Sequence, residues 1–197
     1  MSFALGLTGS IGMGKSTTAQ MFKEAGCAVW DADAAVHRLY AKGGAGAAAI
    51  FARFPKAIVD GEVSRDALKH LIANDKSVLK VLESLIHPLV AEDRARFRSE
   101  QSEDILVFDI PLLFETGGHR AMDAVACVTA PREVQRERVM ARGTMSREQF
   151  EHILSQQMPI EEKIRKSDYI VETTTLAQAR AQVNLILSDI RGKLADA

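Results

Sequence analysis

What this chain lacks narrows its chemistry before any motif is read. Only two cysteines occur, Cys27 and Cys127, each inside an apolar run and neither with metal-ligand spacing. A disulfide framework and a thiolate metal centre therefore find no support, and buried thiols in a reducing compartment are expected. The remaining candidate ligands, His37, His70, His119 and His152, follow no metal-binding spacing, and His87 stands before Pro88 at an apparent helix boundary. No run approaches the roughly 18 apolar residues of a membrane span, and the N-terminus reads as a strand rather than a secretory leader. A cytoplasmic protein with no membrane partner is expected. The formal net charge of −1 supplies no diffuse basic field, so nucleic acid is not an expected partner either.

What is present is ordinary globular material with one informative stretch. Hydrophobic residues make up 47% and charged residues 26% of 197, enough to bury the core of a single domain. Directly after the apolar run Phe3-Ala4-Leu5-Gly6-Leu7 comes Gly9-Ser10-Ile11-Gly12-Met13-Gly14-Lys15-Ser16, followed by Thr17. This fits G-x-x-x-x-G-K-[ST], the phosphate-binding loop, in the required strand–loop–helix context. Gly9, Gly12 and Gly14 let successive backbone N–H groups turn toward a polyphosphate. Lys15 brings a point charge to the β- and γ-phosphates, and the Ser16 hydroxyl suits Mg²⁺. The helix expected from Lys15 to Glu24 adds its N-terminal dipole.

Short apolar runs alternate with helical patterns along the chain. Strands are expected at 3–7, 27–30, 105–108, 124–129 and 169–171, and continuous apolar runs of this length suit a parallel sheet covered on both faces. The alternation predicts an α/β fold with ligands at the carboxyl ends of the strands. A last helix over about 176–191 aligns Val183, Ile186, Leu187 and Ile190 on one face. Between the second and third strands the patterning is helical without a convincing strand. Helix starts are expected at Ser64 and at Asn74-Asp75, with a further helix opening at Pro88. This interval reads as an inserted helical subdomain. The charged interval from Arg142 to Pro159 reads as a flap.

Several side chains carry both a functional and a structural reading. Asp31 and Asp33 end the second strand, expected beside the first strand's carboxyl end. Asp33 there suits a base or hydroxyl-orienting group, and equally a helix N-cap, while Asp31 suits a water-mediated magnesium role. Asp109 imitates a second metal-side carboxylate, whereas Ile110 to Phe114 suit a hydrophobic groove or the core. Arg138 and Arg142, one helical turn apart, can close over a triphosphate or form a solvated face with Glu133 and Glu137. The phosphate loop alone leaves open a kinase for any small hydroxylated acceptor and a GTP-dependent switch. Against the switch, no Asn-Lys-x-Asp tetrad is present.

A wider set of residues narrows this choice. Leu7 through Thr17, Asp31-Ala32-Asp33, Asp60-Gly61 with Arg65 and Leu68, His87-Pro88 and Ile110-Pro111-Leu112-Leu113-Phe114-Glu115 stand in this order. Gln135-x-x-Arg138-x-x-x-Arg142 and Gln157 ahead of Lys163 and Asp168 follow. Together they resemble the dephospho-coenzyme A kinase family over nearly the whole chain; Thr173 stands where that family commonly carries Asn. The resemblance implies a three-layer α/β/α phosphate-loop kinase core with a five-stranded parallel sheet, an inserted helical substrate-binding subdomain and a lid. The core would comprise residues 1–33, 103–141 and 160–197, the acceptor-binding insertion about 34–102, and the lid about 142–159. It implies ATP and Mg²⁺ as cofactors and dephospho-coenzyme A as acceptor; separately, a monomer or weak homo-oligomer is expected. Carried over by position, Gly9 to Thr17 with Arg138 and Arg142 bind ATP, and Ser16 and Asp31 serve the metal. Asp33, Lys15, Arg138 and Arg142 are the implied catalytic residues. Asp33, Arg65, His87, Pro111, Leu112, Leu113 and Glu115 are the implied acceptor contacts.

Overall fold

The computed structural model describes residues 2–196, which divide into two compact units, residues 2–30 with 101–196 and Asp31–Glu100. The first is built on a sheet. Its strands are β1 (Phe3–Gly9), β2 (Ala28–Asp31, whose last residue begins the other unit), β5 (Ile105–Asp109), β6 (Ala124–Thr129) and β7 (Tyr169–Glu172). Their spatial order is β2-β5-β1-β6-β7, and β1 runs parallel to both β5 and β6, as β6 does to β7. The expected neighbour relation of the first two strands is corrected here: β5 lies between β2 and β1. Register pairs Leu7 of β1 with Asp109 of β5, so that aspartate, not Asp31, ends the strand adjoining the phosphate loop.

Helices α1 (Lys15–Glu24), α6 (Arg132–Ala141), α7 (Arg147–Ser155), α8 (Ile160–Lys166) and α9 (Leu176–Ala195) complete this unit. Leu5, Leu7, Ile105, Val107, Val128 and Val171 pack with Phe22 of α1 and with Val183, Leu187 and Ile190 of α9. Each such fully buried side chain contributes about 1.5–3 kcal/mol of hydrophobic stabilisation. The expected apolar face of α9 is the one buried. A second cluster is formed by Leu113, Phe114 and Val125, flanked by Ile110, Met122 and Met158. Gly6 makes room for it, because a Cβ there would lie 2.7 Å from Leu113 Cδ2. Helix α7 opens on a reciprocal capping box between Ser146 and Gln149, which satisfies two backbone donors at once.

The second unit is helical: α2 (Ala32–Tyr40), α3 (Ala45–Arg53), α4 (Arg65–Asn74) and α5 (Ser77–Glu100). Ala47, Ile50, Ala57, Val63, Leu68, Val78, Leu82 and Ile86 form its own core. Three sequence expectations need correction in this unit. A two-stranded hairpin, β3 (Ile58–Val59) and β4 (Glu62–Val63), interrupts the helices, its turn made by Asp60 at φ 52 and Gly61 at φ 87. Two residues per strand are too few for alternation to register. Pro88 does not open a new helix but lies inside α5. The bond it forfeits is to the carbonyl of Ser84, and both residues are exposed, so the forfeited bond lies on the solvent side of the helix. The cap of α2 is Asp31, whose Oδ1 accepts from Ala34 N at 3.0 Å, rather than Asp33. Ser64 caps α4 as expected. Among the described residues no helix is long and apolar enough to cross a membrane.

Candidate active site

The sheet unit concentrates its polar chemistry where β1 ends. Gly12 and Gly14 adopt φ of 78° and 85°, in the left-handed region. A Cβ on Gly12 would come within 2.5 Å of Val139 Cγ2, and one on Gly14 within 3.0 Å of Thr173 Oγ1. Both conformation and space therefore demand glycine. No side chain caps the N-terminus of α1, leaving its first-turn N–H groups to an anion. Ser16 and Thr17 are exposed in that first turn.

Lys15, at the start of α1, forms an ion pair with the buried Asp109. An ammonium has three donors, so the pair fixes the lysine's position without exhausting it. The loop carbonyls are also engaged: Gln135 Nε2 donates to Ile11 O at 2.7 Å and Thr173 Oγ1 to Met13 O at 2.8 Å. Arg138 is gripped by the same threonine, Nη1 donating to Oγ1 at 2.9 Å and Nη2 to the carbonyl at 2.5 Å. Arg138, Arg142, Gly14, Thr17, Thr173 and Leu176 help line a cleft of about 170 Å³. The structure thus brings the two predicted arginines to the phosphate loop, and Arg138 is held by Thr173 rather than lying on a merely solvated face.

The turn after β5 is organised by a residue whose weight sequence reasoning missed. Lys163 of α8 is completely buried; its Nζ pairs with Glu115 Oε1 at 2.9 Å and donates to Pro111 O at 3.2 Å. The same carbonyl accepts from Thr8 Oγ1, and Glu115 also accepts from Met158 N at 2.9 Å. Burial works to raise the Glu115 pKa, but the lysine and the Met158 amide outweigh it and hold the carboxyl below its ordinary range. Glu115 is therefore an anchor of this turn. Leu113 has no exposed surface, so its expected acceptor contact is corrected to a packing role. Leu112 is exposed. Lys163 sits in Ile-Glu-Glu-Lys-Ile-Arg-Lys, which reads as a solvated face; its order behind Gln157 was the one available signal.

The other predicted residues belong to the helical unit. Asp33 lies exposed in the first turn of α2, Asp31 is exposed as its cap, Arg65 opens α4, and His87 is exposed on α5. Both cysteines are buried, and burial pushes each thiol up to about 11.

Known proteins align with this chain along almost its full length. The sequence profile of the dephospho-CoA kinase family matches residues 3–178. A dephospho-CoA kinase of Ruegeria pomeroyi is 65% identical, the match covering 97% of each chain. Among solved structures, TT1252 from Thermus thermophilus superposes with a TM-score of 0.85 at 33% identity, covering 95% of this chain and 97% of that one. Dephospho-CoA kinase from Campylobacter jejuni gives 0.71 at 26% identity, with 98% and 100% covered. With a phosphate loop built as the sequence demands and relatives matching end to end, this chain belongs to the dephospho-CoA kinase family.

Proposed function

We propose that this chain transfers the γ-phosphoryl group of ATP to the 3′-hydroxyl of dephospho-coenzyme A, giving coenzyme A and ADP. The observation that carries this reading is the uncapped start of α1 behind a glycine loop, with Lys15 as the first helical residue. That arrangement binds a polyphosphate and little else. Family membership supplies the acceptor.

In this reading the loop amides and Lys15 hold the β- and γ-phosphates, and Asp109 keeps the lysine in place. Arg138 and Arg142 stand on the nucleotide side, matching charge on the transferring group. Asp33 orients the acceptor hydroxyl and receives its proton as the oxygen bonds to γ-phosphorus. The bridging P–O bond breaks and ADP departs. Such a transfer passes through a loose transition state, so positioning and charge stabilisation do most of the work. Residues 31–100 serve as the acceptor-binding subdomain, with Asp33, Arg65 and His87 on its surface. Pro111 and Leu112 contribute from the turn after β5. Residues 142–159 act as the lid, excluding water and suppressing idle hydrolysis.

A divalent cation fits the donor set. Among the described residues no cluster of three or more His, Cys, Asp or Glu side chains forms a metal cage. The exposed Ser16 hydroxyl at the start of α1 is a hard oxygen donor that would hold the cation; Asp31, the other expected metal residue, ends β2 with β5 between it and β1, and its carboxylate caps α2. Mg²⁺ characteristically takes one or two such groups and fills the rest of its shell with phosphate oxygens and water. When bound, it supplies charge neutralisation at the β- and γ-oxygens.

The direct test is mass spectrometry of dephospho-coenzyme A incubated with the protein and Mg·ATP, alongside nucleoside monophosphates as competing acceptors. A product heavier by one phosphoryl group, made from dephospho-coenzyme A alone, is expected. Phosphorylation of another acceptor instead would overturn the assignment.

A further inference from the structure

In a trans peptide the carbonyl of one residue and the N–H of the next point in opposite directions. A hold on the carbonyl therefore aims the following N–H the other way. The phosphate loop carries two such holds, Gln135 Nε2 on Ile11 O and Thr173 Oγ1 on Met13 O. The amides they turn outward belong to Gly12 and Gly14, the two left-handed residues of the loop. We infer that Gln135 and Thr173 are positioning residues that preset these two amides for the polyphosphate before nucleotide arrives. This rests on reading the loop as the ATP cradle.

The need for such holds follows from the glycines themselves. Glycine tolerates either sign of φ, so the flexibility that lets the loop form also lets each peptide flip. A flipped unit would aim a carbonyl oxygen at the phosphate, exchanging attraction for repulsion where charge stabilisation is the purpose. The braces come from groups with little freedom. Gln135 is 3% exposed and Thr173 is 7% exposed. The amide of Thr173 donates to Thr129 O at 2.9 Å, fixing its backbone to β6. Its hydroxyl has one proton and two carbonyls within reach, Met13 O at 2.8 Å and Thr129 O at 3.3 Å, and the shorter bond is to the loop. Its lone pairs accept from Arg138 Nη1, so one side chain sets both a loop peptide and a guanidinium.

Calorimetric titration of the full chain with ATP and with inorganic tripolyphosphate tests this. Tripolyphosphate has no base, so it reads the cradle alone. Thr173→Val and Gln135→Met should each weaken both ligands by the same factor, about threefold to tenfold for one lost brace. Thr173→Ser should bind as the unaltered protein does, and the KM for the acceptor should stay in place. To separate the loop from Arg138, Thr173→Val is repeated on an Arg138→Ala background, where the loss should persist. Wild-type tripolyphosphate affinity in Thr173→Val, or disappearance of its effect without Arg138, overturns the inference for Thr173. Should Thr173→Val fail to fold by circular dichroism, Gln135→Met decides: unchanged tripolyphosphate affinity there overturns the proposal. If the unaltered chain binds neither ligand, the ATP reading itself falls and the inference falls with it. That outcome differs from a variant-only failure.

Discussion

The two units hold the polar side chains proposed for function in opposite ways. In the sheet unit the polar groups around the phosphate loop are mostly buried and braced: Asp109, Gln135, Lys163 and Thr173 are each less than a tenth exposed, and each has a defined partner. In the helical unit the predicted site residues Asp33, Arg65 and His87 are exposed, on helices around a small separate core. Binding of a polyphosphate gains most from dipoles that need no reorganisation, which favours side chains locked by their surroundings. Recognition of an acceptor through exposed residues leaves those residues dispensable for folding. One unit ties function to stability; the other separates them.

That contrast can be broken by substitutions chosen from each side. The largest effect is expected from Asp33→Asn, which should lower kcat by roughly 10²–10⁴, the range for loss of an acid–base group. The KM for ATP and the melting temperature should barely change; near-normal turnover would remove Asp33 from its proposed role. Lys15→Ala should cost roughly 10²–10³ in kcat/KM for ATP, comparable to deleting one transition-state donor. It also leaves Asp109 without its ammonium, so stability should fall as well, unlike the Asp33 variant. Equal thermal stability of the two variants would dissolve the contrast.

Lys163→Met should destabilise the protein by about 3 kcal/mol in urea unfolding, because it takes the ammonium from Glu115, leaving the carboxylate with the Met158 amide, and leaves Thr8 as the donor to the Pro111 carbonyl. A milder effect concerns acid. The folded Glu115 carboxyl titrates below its ordinary value, so its contribution is full above the unfolded pKa of about 4.3 and fades as pH falls through the folded one. Glu115→Gln should therefore be less stable than the unaltered chain at pH 7 and converge with it on acidification below about pH 4. Parallel stability curves would show that the Lys163 pair contributes nothing pH-dependent. The smallest readout is thiol chemistry. With both thiols buried and raised to about 11, Cys27 and Cys127 should resist alkylation at pH 8 until denaturant is added.

Legibility in the sequence followed range of interaction. The phosphate loop, the five strands of the sheet and the apolar face of α9 depend on neighbours within one element, so spacing reveals them. The Ser64 cap is equally local. Pro88 inside α5 and the hairpin at Asp60-Gly61 escaped because local signals there were weak or overridden by packing. That the α2 cap falls on Asp31 rather than Asp33 is a shift of two residues too fine for propensity to resolve. Lys163 escaped for a different reason: nothing local distinguishes a buried lysine from a solvated one.

By itself, the order of residues determined that a polyphosphate cradle would form after the first strand, because only glycine, lysine and a small hydroxyl in that spacing satisfy its local geometry. Tertiary structure alone decided what stands behind the cradle. Strand β5 inserts beside β1 and delivers Asp109 to Lys15, while α6 and the end of β7 deliver Gln135 and Thr173 to the loop carbonyls. Those partners lie 94 to 160 residues away along the chain, and only the folded sheet brings such distant groups within hydrogen-bond reach.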